Sequence, residues 1–153
     1  MKTATKDDVY RKVGIALERA QNFESNVVVY VTALKAIRDE RYKGPAFADW
    51  LLKEMEESKE TLGPLVKKGR GELEKLGVDW VNVEATFKEA IAARNHLAHS
   101  FYRKHGAKFN DASGRGEMIT HIEELYVKIE QARRVAEKIA ILMSAQVLKL
   151  QRV

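Results

Sequence analysis

The chain has 153 residues, with 27 Lys and Arg against 22 Asp and Glu, for a formal charge of +5. A length of this order suits one domain, spanning residues 1–153, which buries roughly two thirds of the surface its unfolded chain exposes. Hydrophobic residues at 45% and charged residues at 32% exclude a disordered or membrane-embedded chain, and the absence of cysteine excludes disulfides, thiolate metal sites and a cysteine nucleophile.

The start, Met-Lys-Thr-Ala-Thr-Lys-Asp-Asp, carries no apolar signal segment. The longest apolar runs, residues 27–31 and 139–143, fall far short of the ~20 residues a membrane span needs. The expectation is a soluble cytoplasmic protein with no membrane partner.

Apolar residues recur at steps of three and four nearly throughout, the helical signature. The first helix carries Val9, Val13, Leu17, Ala20, Val27, Val31 and Leu34, and Thr5 with Asp8 forms a capping pair at its start. The run Val27-Val28-Val29-Tyr30-Val31 reads as a strand in isolation, but the periodicity on either side continues through it. The first helix runs to about Arg38–Arg41. Gly44-Pro45 then breaks the chain and Pro45 starts a second, with Phe47, Trp50, Leu51 and Met55 on one side and Glu54, Glu56, Glu57 and Glu60 on the other. Gly63-Pro64 interrupts the second helix. Gly69, Gly71 and Gly77 make the stretch to Asp79 irregular, with room for a short helix near residues 65–68 or 72–76.

A third long helix runs from about residues 79–82 to Tyr102 or Lys104, with Trp80, Val83, Phe87, Ile91, Ala98 and Phe101 in register. A polar loop, residues 105–113, leads to the fourth, whose stripe is Met118, Ile122, Leu125, Ile129, Ala132, Ala136, Ile139, Met143 and Leu150. These elements predict an all-α, up-and-down four-helix bundle with an irregular insertion between the second and third long helices.

The surplus charge is localised. Between Arg94 and Arg115 stand Arg94, Arg103, Lys104, Lys108 and Arg115 against Asp111 alone, a local +4, which attracts anions such as phosphates. Arg94 opens this stretch and breaks the pattern of the third helix, lying about 20° from Phe87 in the middle of the apolar face. A guanidinium cannot shed its charge, so it must be paired with a carboxylate, snorkel outward, or meet an anion. Asn95 and His99 share one flank of that stripe, with Tyr102 a turn later, whereas His96 points away from it and reads as exposed and without a role. An arginine to hold charge beside a histidine to move a proton suits phosphate chemistry.

The segment Ala93-Arg94-Asn95-His96-Leu97-Ala98-His99 resembles the Arg-x4–6-His signature of HEPN domains (higher eukaryotes and prokaryotes nucleotide-binding), late in the third helix of an all-helical chain. The motif-level similarity covers residues 94–102. The resemblance implies a dimeric, metal-independent endoribonuclease of toxin–antitoxin or phage-defence type, needing no cofactor. On that basis Arg94 would bind the scissile phosphate, His99 would act as general acid or base during 2′-hydroxyl attack, and Asn95 would orient either. Arg103, Lys104, Lys108 and Arg115 would meet the flanking RNA backbone, and Tyr102 would flank the site. The partners implied are RNA, a second copy of the chain and an antitoxin protein. HEPN toxins regulated by AMP transfer carry Tyr two residues after the histidine; here that position is Phe101, so this regulation is not assigned. Many members have lost catalysis, so a non-catalytic module binding nucleotide, nucleic acid or protein is the alternative, and a purely structural bundle with a paired Arg94 is a third reading.

On an ideal helix Arg94 and His99 diverge by about 140°. Either the helix loosens near His99, or a second protomer completes each site. The remaining signals are weaker. His96, His99 and His105, or Glu117 with His121, lack the paired Glu-x-x-His pattern of a helical metal site, so no metal is expected. Ser113-Gly114-Arg115-Gly116 precedes the fourth helix either as an anion-holding start or as a plain flexible one. Lys67, Lys68 and Arg70, and Arg133, Arg134 and Lys138, read as solvated faces.

Overall fold

The computed structural model describes residues 2–57 and 61–152. Thr5 opens the first helix as a capping box. Its hydroxyl accepts from the Asp8 amide at 3.1 Å, and its amide donates to the Asp8 carboxylate at 2.9 Å, so two amides without helical partners are satisfied together. Helix α1 then runs unbroken over Lys6–Arg38, straight through the valine run. Val27, Tyr30, Ala33 and Leu34 are buried there, and tertiary burial outweighs the modest helical disfavour of β-branched residues.

A 3-10 turn, Arg41–Lys43, leads to α2, Phe47–Glu57. No residue of α2 is buried; Phe47, Trp50, Leu51 and Met55 are only half-buried. The helix meets chiefly the end of α1 and the turn after it, where Lys35 of α1 pairs with Glu54 at 2.7 Å. Glu56 and Glu57 are exposed as expected, and Glu60 lies outside the described residues. Pro64 falls in the first turn of α3, Leu62–Lys67, where amides have no helical partner in any case. Helix α4 follows over Arg70–Lys75. The glycine-rich stretch is therefore two short helices, and their Leu65, Val66 and Leu73 enter the core. Gly69 stands between them, and a Cβ there would press into Leu34 of α1.

Helix α5 spans Trp80–His99, α6 spans Phe101–His105, a 3-10 turn covers Gly106–Asn110, and α7 spans Ala112–Gln151. The third long helix thus ends at His99, earlier than its apolar spacing predicts. Ser100, at φ −135° and ψ −8°, leaves helical geometry, and Phe101 restarts it in a new direction. Helix α7 begins earlier than expected because Asp111 caps it, its carboxylate accepting from the Gly114 amide at 2.7 Å. The Ser-Gly-Arg-Gly segment is therefore the first turns of the helix. Gly114 packs against the Lys108 backbone so closely that a Cβ would collide with it.

All elements among the described residues are helical, as the periodicity predicts. The long helices that build the core are three, α1, α5 and α7; α2 lies against the outside, and α3 and α4 supply the buried residues of the remaining side. The α7 stripe from Met118 to Met143 is buried as expected, and Val147 continues it. The core has two halves, dividing between Ala20 and Phe23 on α1, Ala90 and Ala93 on α5, and Ile129 and Ala132 on α7. Alanines concentrate at that waist, and small side chains let helix axes approach closely. Long charged side chains lie at the same level: Glu130 with Arg133 at 2.7 Å, and Glu24 with Arg94 at 3.0 Å. No helix among the described residues is long and apolar enough to cross a membrane.

Candidate phosphate-handling site

The buried face of α5 consists of Trp80, Phe87, Ala90, Ala93 and Leu97. Its centre is rotated about 70° from the one drawn through Phe87, Ile91 and Ala98, and Ala98 is exposed. The reason is the alanines at 90 and 93, which carry little hydrophobic signal but form the close contact at the waist. Arg94 remains near this face, about 30° from its centre, and escapes burial by length. Its Nε lies 3.0 Å from Glu24 Oε1 on α1, with 38% of the Arg94 side chain and 30% of the Glu24 side chain exposed. A second guanidinium nitrogen, Nη1, donates to Asn95 Oδ1 at 3.0 Å. Arg94 is therefore an oriented cation on the wall of the bundle.

His99 is the last residue of α5 and is exposed, as is Asn95 one turn before it. The helix is regular up to His99 and departs from α geometry only at Ser100. The divergence of Arg94 and His99 is accordingly kept, and no hydrogen bond or ion pair joins them among the described residues. Phe101 is buried. Tyr102 keeps 38% of its surface exposed and packs its ring against Tyr10 at 6.1 Å and Phe109 at 5.6 Å; burial, and secondarily Tyr10, raises its hydroxyl pKa.

The basic residues divide. Arg103 and Lys104 are exposed and have no ion-pair partner among the described residues. Lys108 pairs with Glu117 at 2.8 Å. Arg115 is turned inward, its Nε donating to the Ala4 carbonyl at 2.8 Å and its Nη1 to the Phe109 carbonyl at 3.1 Å. It ties the N-terminus and the 3-10 turn to α7.

His96 is half-buried rather than exposed, contrary to the sequence expectation. It packs on α7 with its ring 5.2 Å from that of His121 and 6.0 Å from that of Phe101. Its Nδ1 bonds Ser100 Oγ at 2.8 Å, while its Nε2 is buried with no partner. His105 Nε2 and His121 Nδ1 share a hydrogen bond of 2.8 Å. Burial first, then the neighbouring His121 and nearby lysines, holds His96 and His105 below the ordinary imidazole pKa. This group was legible only through the spacing of Ser100 and His96 at i, i+4; the reach of α7 to His121 is tertiary. Among the described residues no group of three or more His, Asp and Glu is arranged to hold a metal ion.

No family model, curated protein or solved structure matches the chain.

Proposed function

We propose that the chain is a metal-independent endoribonuclease of the HEPN type, acting as a homodimer in which Arg94 of one protomer and His99 of the other serve one phosphate. The observation that carries this reading is the state of Arg94. It sits at the edge of a buried face yet keeps 38% of its side chain in water, is aimed by Glu24 and Asn95, and shares the end of α5 with an exposed His99. The regularity of α5 through His99 favours a shared site over one built within a single chain.

In the reaction a neutral imidazole takes the proton of the ribose 2′-hydroxyl, and the 2′-oxygen attacks phosphorus. The P–O5′ bond breaks, and a protonated imidazole delivers its proton to the leaving 5′-oxygen. The products are a 2′,3′-cyclic phosphate and a 5′-hydroxyl. One His99 serves each site: the imidazole that takes the 2′-hydroxyl proton becomes protonated and returns that proton to the 5′-oxygen. Arg94 stabilises the charge that gathers on the non-bridging oxygens through Nη2, the guanidinium nitrogen that neither Glu24 nor Asn95 engages. Arg103 and Lys104 supply unpaired positive charge beside the site.

The second reading is a non-catalytic module that binds nucleotide, nucleic acid or protein through the same surface. The Arg94–Glu24 pair favours it, because that carboxylate already supplies the partner a structural arginine needs. Incubating the protein with single-stranded RNA in EDTA separates the two. Cleavage to cyclic-phosphate ends, lost in Arg94→Ala and in His99→Ala with folding intact, is the expected result. Binding without cleavage supports the module, and no RNA-related activity in either form leaves a structural bundle.

A further inference from the structure

Helices α3 and α5 enclose a groove of about 620 Å³ that ends at Asn95, the residue that accepts a hydrogen bond from Arg94. We infer that this groove seats a nucleoside flanking the scissile phosphate, so that the substrate is single-stranded RNA with a base turned out of its stack. The inference rests on the endoribonuclease reading for the position of the phosphate, but its physical basis is separate.

The first argument is continuity. Glu84, Lys88, Ala92, Asn95 and His99 follow one another at steps of three and four, so they lie along one side of α5. The first four line the groove, and His99 lies one turn past its end. From Glu84 to Asn95 the helix rises about 16 Å, which accommodates the nucleotide beside the reacting phosphate. The second argument is the chemistry of the walls. Pro64 and Val66 of α3 face Ile91 and Ala92 of α5, giving opposed aliphatic surfaces suited to the flat faces of a base. The volume falls in the range, roughly 300–1,000 Å³, of sites that enclose small organic groups.

The third argument is charge. Lys67 lines the groove and has no ion-pair partner among the described residues, so its ammonium is free for a phosphate. Lys88 lines it too, held by Glu84 at 3.0 Å. Apolar walls with cations and an amide at the rim match a nucleoside with its phosphates and match a purely apolar ligand poorly. A base paired in a duplex presents only its edge and cannot enter between two walls. That geometry selects single strands, where bases can be splayed out.

The test uses two substitutions that leave the core alone. Ala92 is exposed, so Ala92→Phe fills the groove from its open side, and Lys67→Glu reverses its free charge. Both are made in a His99→Ala background so that RNA stays intact, and binding of a fluorescein-labelled single-stranded 12-mer is read by anisotropy in EDTA. Ala92→Phe is expected to weaken binding about tenfold, the loss of one stacked base, and Lys67→Glu to weaken it through the lost phosphate contact, with unchanged circular dichroism and with the matching duplex bound more weakly than the single strand. Parent-like binding by Ala92→Phe, equal binding of duplex and single strand, or no binding by the parent overturns the inference. Cleavage is scored separately in the unsubstituted protein. Full cleavage by His99→Ala overturns the endoribonuclease reading while the binding result still judges the groove.

Discussion

Arg94 on α5 and Glu24 on α1 are joined by a 3.0 Å ion pair at the waist of the bundle, where both side chains stay partly in water. Partial exposure limits what this pair contributes to folding, to about 1 kcal/mol or less. Arg94→Ala is therefore expected to fold normally, with a thermal midpoint near that of the parent, while cleavage falls at least about 100-fold through loss of charge stabilisation at the phosphate. A large loss of stability in Arg94→Ala, by thermal denaturation, means the pair is structural.

A site shared between protomers makes a further prediction. Arg94→Ala and His99→Ala are each inactive alone, but mixing them lets half the dimers form with one intact site. Mixed and re-equilibrated protein should recover about a quarter of the parent's cleavage rate. Activity no higher than that of the two variants alone places Arg94 and His99 in one chain's site.

Arg103 and Arg115 differ in what they bind, and salt dependence separates them. Arg103→Ala should weaken RNA binding and reduce the slope of log affinity against log salt by about 0.7 for a single strand. Arg115→Ala should leave that slope unchanged and lower stability by about 1–3 kcal/mol, because the Ala4 and Phe109 carbonyls lose their donors.

The imidazole cluster predicts sensitivity to acid. His96 and His105 have pKa values below the ordinary 6.5, chiefly through burial. The unfolded chain therefore takes up these protons at a higher pH than the folded one. Stability is complete above about pH 6.5 and declines as pH falls through the lowered values. Lys104 and Lys108 of the following segment add repulsion, and Lys128 and Glu89 line the adjoining groove. Urea denaturation from pH 7.5 to 5 should show this decline, and His96→Phe should flatten it. A flat profile in the parent contradicts the prediction.

Tyr30 is fully buried on α1, and its hydroxyl has no hydrogen-bond partner among the described residues; burial pushes its pKa up strongly. A buried hydroxyl without a partner costs free energy. Tyr30→Phe should raise stability by about 1 kcal/mol, read as a higher urea midpoint at constant slope.

Much of this protein is legible along the chain. The α7 stripe from Met118 to Met143 is buried, while Leu150 at its end is only half-buried, and the Thr5–Asp8 capping box stands where the sequence puts it; the glycine-rich stretch, read as room for one short helix, holds two. Arg94 stands out for the same reason, since a charge on an apolar stripe is visible without coordinates. What spacing could not supply is rotation and reach. The face of α5 is set by Ala90 and Ala93, whose small size brings α7 close while barely registering as hydrophobic. That rotation moves His96 from solvent onto His121, and it decides that Arg94 is answered by Glu24, some seventy residues away in the chain. The end of α5 at His99 likewise depends on Ser100 leaving helical geometry while Phe101 is drawn into the core. The residues with chemistry to offer are thus named by the sequence itself; which of them are paired, buried or free is decided only when three helices meet, because pairing and desolvation are properties of distance in space.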